Sequence, residues 1–180
     1  QELLGHQAAL TLQSKQCLAN AMANLGEAEN AKSLFTEVRL AREKILGATH
    51  PDTLNTRYSL ASLYLLDAEL PRAKEEFAAL TSLARDTLGP GHPFWIRCLA
   101  QLATVTTRMG ELKRSGELHS EALREAKKTL GDLHPLTLAI QLGLAEDKAT
   151  RQDHLNAVQI YNDTLPKLLQ IYGEDYSPAQ

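Results

Sequence analysis

The stretch Leu46-Gly47-Ala48-Thr49-His50-Pro51-Asp52-Thr53-Leu54 decides the fold. It returns as Leu88-Gly89-Pro90-Gly91-His92-Pro93-Phe94-Trp95-Ile96, and again as Leu130-Gly131-Asp132-Leu133-His134-Pro135-Leu136-Thr137-Leu138. Each copy lies 42 residues beyond the last. One further step back reaches Leu4-Gly5, and one step forward reaches Tyr172-Gly173. Gly5, Gly47, Gly89, Gly131 and Gly173 thus share a register free of insertions. A fixed period of this length marks a repeat architecture.

Other positions keep the same step. Leu18, Leu60, Leu102 and Leu144 are each followed by alanine, at Ala19, Ala61, Ala103 and Ala145. Leu12, Leu54, Ile96 and Leu138 hold an apolar position, and Ala31, Ala73, Ser115 and Ala157 a small one. The chemistry of the block follows from its residues. Glycine after a helical run suits the left-handed C′ position that ends a helix. Proline suits the first turn of the next helix, where its missing N–H costs nothing. The proline ring drives the preceding histidine out of helical space. The block therefore reads as stop, short loop, start.

Each unit divides once more, at Leu25-Gly26-Glu27 and at Met109-Gly110-Glu111. The spacing predicts a helix A and a helix B per unit. The A helices fall near 9–24, 51–67, 93–109 and 135–150, and the B helices near 28–46, 70–88, 112–130 and 154–172. The repeats run over about 5–46, 47–88, 89–130 and 131–172 of one domain spanning 1–180, with 173–180 expected to start a further repeat at Ser177-Pro178 or to form a tail. Leu54, Leu60, Ala61, Leu63 and Tyr64 line one side of the second A helix, and Ala73, Phe77, Leu80 and Ala84 its B partner. One hairpin cannot hide such stripes, but stacked neighbours can. The expected class is all-α, four helix-turn-helix repeats with eight main helices. In the second and fourth units Asp67-Ala68 and Arg151-Gln152 stand where the turn glycine is expected, and Pro166 is expected to kink or shorten the last B helix.

Composition agrees. Apolar residues make up 43% and aromatics 5%, with alanine and leucine prominent, which favours helix over sheet. A net charge of −3 provides no broad basic field, which argues against a nucleic-acid partner. No run approaches the roughly 20 apolar residues that span a bilayer, and no secretory signal opens the chain. Cys17 and Cys98 are too few for a disulfide framework or a thiolate zinc site and are expected as reduced thiols in a cytoplasmic setting. The start at Gln1 suggests a piece of a longer protein.

No catalytic, cofactor or metal site is expected. His50, His92 and His134 recur once per repeat, so stacking spaces them by roughly the 10 Å of packed helices. Zinc ligands must instead meet about 2 Å from one ion. His6, His119 and His154 follow no ligand spacing. There is no nucleophile elbow and no glycine-rich phosphate loop, and Glu75-Glu76 reads as a solvated helix face. Trp95 and Phe94 break the pattern at the register of Thr53 and Thr137; either they fill a gap between repeats or staple the loop, or Trp95 is an exposed anchor for a partner.

On these residues the chain resembles tetratricopeptide repeat (TPR) proteins. Leu60, Ala61 and Tyr64, followed by Ala73 and Phe77, match that repeat's pattern. The 42-residue step and the LGxxHPxTL block resemble one subclass, the kinesin light chain-like repeats, which include the repeat arms of NACHT and NB-ARC signalling ATPases. The resemblance implies a right-handed α-solenoid whose A helices line a concave groove that holds a peptide or partner segment. Carried over by position, the groove residues are Gln13, Gln16, Asn20 and Asn24 in the first unit and Asn55, Tyr58, Ser62, Leu65 and Leu66 in the second. Arg97, Gln101, Thr104 and Arg108 follow in the third unit, and Leu142, Glu146 and Thr150 in the fourth. Tyr58 with Leu65 and Leu66 would seat an apolar side chain, and Arg97 and Arg108 an acidic one. The paired asparagines usual before the Leu-Ala step are replaced by Gln16-Cys17, Tyr58-Ser59, Ala100-Gln101 and Leu142-Gly143. The implied function is a protein-interaction scaffold without cofactor or enzymatic activity. The alternative is the sensor arm of a signalling ATPase, in contact with other domains of its own protein.

Overall fold

Each repeated histidine starts a helix in the computed structural model, which describes residues 2–173, with side chains from residue 9. His50, His92 and His134 take extended backbone angles, with φ between −62° and −69° and ψ between 135° and 139°. Their side chains do more than the sequence reading expected. Nδ1 of each accepts the backbone N–H two residues on, from Asp52 at 3.2 Å and from Phe94 and Leu136 at 3.1 Å. This satisfies one of the amides that a helix start leaves unpaired. Proline at the next position lacks that amide altogether.

Eight helices and no strand occur among the described residues. They are α1 (Glu2–Asn24), α2 (Ala28–Leu46), α3 (Pro51–Leu66), α4 (Leu70–Leu88), α5 (Pro93–Arg108), α6 (Leu112–Thr129), α7 (Pro135–Thr150) and α8 (His154–Tyr172). The stop signal works through backbone freedom. Gly47 donates its N–H to Glu43 O at 3.1 Å and sits at φ 93°, ψ 162°. That extended, positive-φ region is open almost only to glycine, and it is not the left-handed helical conformation expected. Ala68 and Gln152, in the two turns that lack glycine, are held at φ 59° and 62°.

Two expectations are corrected. Gly5 does not end a helix, because it lies inside α1. The register that holds proline in later blocks holds Ala9 here, so nothing interrupts a good helix former. Pro166 does not shorten α8, which runs on to Tyr172. Proline removes its own N–H and orphans the carbonyl of Asn162, but both residues are on the exposed side, where an unpaired carbonyl costs little. The expected repeat start at Ser177-Pro178 and the His6 side chain lie outside the described residues.

The chain forms two compact units, residues 1–83 and 84–180, with the boundary inside α4. In the first, α1 packs on α2 and α2 on α3. Ala19, Ala31, Phe35, Leu60 and Leu63 form a core cluster there, and Tyr58 meets Phe77 edge-on at 5.5 Å. In the second, α5, α6, α7 and α8 pack in sequence order, and α5 also touches α7. Ala84, Ile96, Leu99, Ala103, Leu118 and Ile140 gather around Trp95. Trp95 is 2% exposed and is therefore core, not an anchor for a partner. All eight small-residue positions, Ala19 through Ala145 and Ala31 through Ala157, are buried. Close helix contact at these places requires small side chains.

Three register positions change character along the chain. Phe35 and Phe77 are buried, and His119 follows them, buried too, whereas Tyr161 at the same register on α8 is 41% exposed. Leu63 and Val105 are followed by Asp147. Arg42 is followed by Ala84 and Ala126.

Candidate functional site

In the first unit, α1 and α3 present adjacent faces with a groove between them. Asn20, Asn24, Tyr58 and Ser62 come together along it, above Ala23, Phe35, Ser59 and Leu63, around a volume of about 280 Å³. Asn20 and Asn24 are one helical turn apart, as are Tyr58 and Ser62, so each pair shares a face. The amides offer both donors and acceptors. Ser62 donates its hydroxyl proton to Tyr58 O at 2.9 Å, which leaves only lone pairs for a partner.

Two positions depart from the expected face. Leu65 is 8% exposed, whereas Leu66 is 74% exposed. Leu65 falls on the stripe of Leu54 and Ala61, eleven and four residues after them, and that stripe faces the core. The apolar floor of the groove is therefore Ala23, Phe35 and Leu63 in place of Leu65. Gln16 is also buried, between Leu12 and Ala19 on the inner side of α1. Its Oε1 accepts from Arg42 Nη1 and from Thr56 Oγ1, each at 2.9 Å. Gln13 stays exposed, and its Oε1 accepts from Arg42 Nη2 at 3.1 Å. Asn55 is exposed on α3.

In the second unit Arg97, Gln101, Thr104 and Arg108 fall at helical spacing on one face of α5, and Leu142, Glu146 and Thr150 on one face of α7. The Arg97 guanidinium lies 5.1 Å from the Phe94 ring centre, within cation–π range. Thr104 donates to Ala100 O at 3.1 Å and Thr150 to Glu146 O at 2.9 Å, so these hydroxyls too present acceptors only. Arg108, Glu146 and Thr150 are exposed, and Arg97, Gln101, Thr104 and Leu142 half-buried.

Three polar clusters escaped the sequence reading. Lys32 on α2 sits among Glu29, Asp67 and Glu69, with bonds of 2.9 Å to Glu29 and 2.5 Å to Glu69 and a closer one to Asp67. The bonds to Asp67 and Glu69 hold its ammonium well above the usual lysine range, and the Lys32 bond holds Glu69 below the usual carboxylate range. The three carboxylates could otherwise converge on a cation, but the ammonium occupies their centre. The second cluster is the buried pair of His119 and Asp147. The third is Arg42 with its amide and hydroxyl partners. The last two had one legible signal, a polar residue at a register where other repeats hold an apolar or small one, as at His119, Asp147 and Arg42, whereas Lys32 is followed by another lysine, Lys74. No spacing motif flags them.

Together these features define an all-α repeat protein whose helical hairpins offer paired A-helix faces. The chain belongs to the tetratricopeptide repeat family, whose profile matches residues 7–86 and 95–170. Among solved structures, the nearly identical TPR-like repeats of a kinesin light chain-type protein from Podosopora anserina superpose with a TM-score of 0.72. They share 24% identity over 95% of this chain and 86% of that one. BtubC (BKLC) from P. vanneervenii superposes with a TM-score of 0.77 at 12% identity, over 96% of this chain and 69% of that one. At these identities the likeness speaks for the fold. No curated protein sequence matches the chain. No described helix is long and apolar enough to cross a membrane.

Proposed function

We propose that the chain is a protein-interaction scaffold that holds a peptide or partner segment against the faces of its A helices. The groove between α1 and α3 carries this reading. It combines two amide side chains, an aromatic ring and an apolar floor in a concave space, the mixture that ligand sites use. Asn20 and Asn24 pair with the backbone of an extended segment, and Tyr58 covers an apolar side chain. On α5, Arg97 and Arg108 meet acidic groups through charge-assisted bonds. TPR folds serve as protein-interaction scaffolds, which fits. Neither Cys17, exposed, nor Cys98, buried, is in a disulfide, which fits a reducing, cytoplasmic setting.

Selection of binders from a random peptide library, followed by affinity measurement on variants, tests the proposal. Tyr58→Ala with Asn24→Ala, or Arg97→Glu with Arg108→Glu, should weaken selected peptides at least about tenfold, as loss of interface anchors does, with helicity unchanged. Peptides that ignore both pairs and are displaced only by changes on the B helices would overturn it.

A further inference from the structure

Arg42 is 4% exposed, yet among the described residues it has no carboxylate partner. Its guanidinium donates from Nη1 to Gln16 Oε1 at 2.9 Å, Thr56 Oγ1 at 2.7 Å and the Asp52 carbonyl at 3.1 Å, and from Nη2 to Gln13 Oε1 at 3.1 Å. All four acceptors are neutral. Buried charges are ordinarily paired with an opposite charge, because desolvation is otherwise left uncompensated. Neutral dipoles and the nearby C-terminus of α2 soften that cost without cancelling the charge. Packing does not demand arginine here either, since Ala84 and Ala126 fill the same register one and two repeats later and are fully buried.

Arg42 lines a pocket of about 260 Å³ between α1, the end of α2 and the start of α3, and its Nη2 reaches Gln13 on the same wall. Leu10, Leu12, Ile45 and Leu46 supply most of the remaining wall, with Gln13 and Asp52 as its other polar members. This pocket shares no lining residue with the α1/α3 groove, and its reading does not depend on that of the groove. We infer that it is a binding site for a carboxylate carried on an apolar group. Gln13 Oε1 marks the place of a ligand oxygen. It belongs to an exposed side chain that can swing aside, and exchanging a neutral acceptor for an anionic one strengthens the bond to arginine. A phosphate dianion fits less well, because one guanidinium must face it alone and Asp52 also lines the pocket. The apolar wall takes the hydrocarbon part.

Titration of the full chain with 4-methylpentanoate, its neutral amide and inorganic phosphate tests this, read by methyl NMR of Leu10, Leu12, Ile45 and Leu46. The acid should shift these methyls and bind at least about tenfold tighter than the amide or phosphate, as a charge-assisted bond requires. Arg42→Ala should keep its helicity and lose binding. Gln13→Glu, which places an internal carboxylate against Arg42, should raise the melting temperature and abolish binding even if the alanine variant folds poorly. Two peptides distinguish the sources, one ending in a free C-terminal leucine and one with an internal glutamate beside leucine. Either peptide binding tighter than the free acid identifies a protein ligand, and neither doing so identifies a small hydrophobic acid. Equal binding of acid and amide, phosphate binding as tight as the acid, undiminished binding by either variant, or no methyl response would overturn the site.

Discussion

His119 on α6 and Asp147 on α7 join two neighbouring repeats through one buried bond, with Nδ1 of the ring 2.6 Å from Oδ2 of the carboxylate. The ionised carboxylate is an acceptor only, so the ring N–H donates. Thr107 donates to the other oxygen. On its far side the ring needs Gly143, since a Cβ there would stand 2.7 Å from Nε2. A polar pair thus replaces the aromatic and aliphatic residues found at these registers elsewhere.

Breaking that pair should cost more than replacing it. Asp147→Val alone strands the His119 N–H, while the Thr107 hydroxyl keeps Ala103 O as an acceptor at 3.0 Å, and is expected to destabilise by about 1–3 kcal/mol. Adding His119→Phe, the residue of the Phe35 and Phe77 register, should recover most of that loss, since apolar replacement of a whole buried pair is often neutral. Urea unfolding of the two single variants and the double variant decides it. Additive losses would mean that the two side chains do not act as a pair.

The same pair sets an acid limit. Burial works against ionisation of Asp147, but the bonds from His119 and Thr107 outweigh it and hold the carboxyl below the usual aspartate range. The unfolded chain therefore takes up this proton first as pH falls. The contribution is complete above the ordinary aspartate value of about 4 and fades as pH drops through the lower folded-state value. Asp147→Asn should flatten the acid limb of melting temperature against pH. An unchanged limb would assign acid sensitivity to other carboxylates.

Histidine at the helix start is replaceable only by another acceptor. His92→Ala should cost about 1 kcal/mol, the usual worth of a capping side chain, and His92→Asp or His92→Ser should restore most of it. Thermal unfolding distinguishes these outcomes. Equal stability of all four proteins would mean that the Phe94 amide is satisfied by water.

Ala68 and Gln152 sit in left-handed backbone that costs a side-chain-bearing residue about 1–2 kcal/mol. Ala68→Gly and Gln152→Gly should each raise stability by up to about 1 kcal/mol, since glycine gives back part of the gain as unfolded-state entropy. Gly47→Ala should lower it. Differential scanning calorimetry checks all three. A loss on Ala68→Gly would show that the entropy dominates.

The Lys32 ammonium neutralises three carboxylates that stand close together. Lys32→Ala leaves oxygens of Glu29, Asp67 and Glu69 within 4.8 Å of one another, a set suited to a hard cation such as calcium. The variant should melt earlier than the parent in chelator and recover on adding calcium, whereas the parent should not respond. Calcium-independent melting of the variant would show that the carboxylates separate once the ammonium is gone.

The sequence by itself determined the helices and their order. Stop and start chemistry is local, so Gly47 and His50-Pro51 mark their boundary whatever packs nearby. The buried stripes were legible for the same reason, since the helical period lies in the chain itself. Which polar groups meet across helices was decided only by tertiary structure. Gln16 and Leu65 occupy register positions that a family comparison assigns to a groove, but the rotation of α1 and α3 against their neighbours turns them inward. Arg42 reaches Gln13, Gln16 and Thr56 across gaps of 29, 26 and 14 residues, and Lys32 reaches Glu69 across 37. Such contacts depend on how one hairpin sits on the next, at a scale of a few ångströms that no single-helix period records.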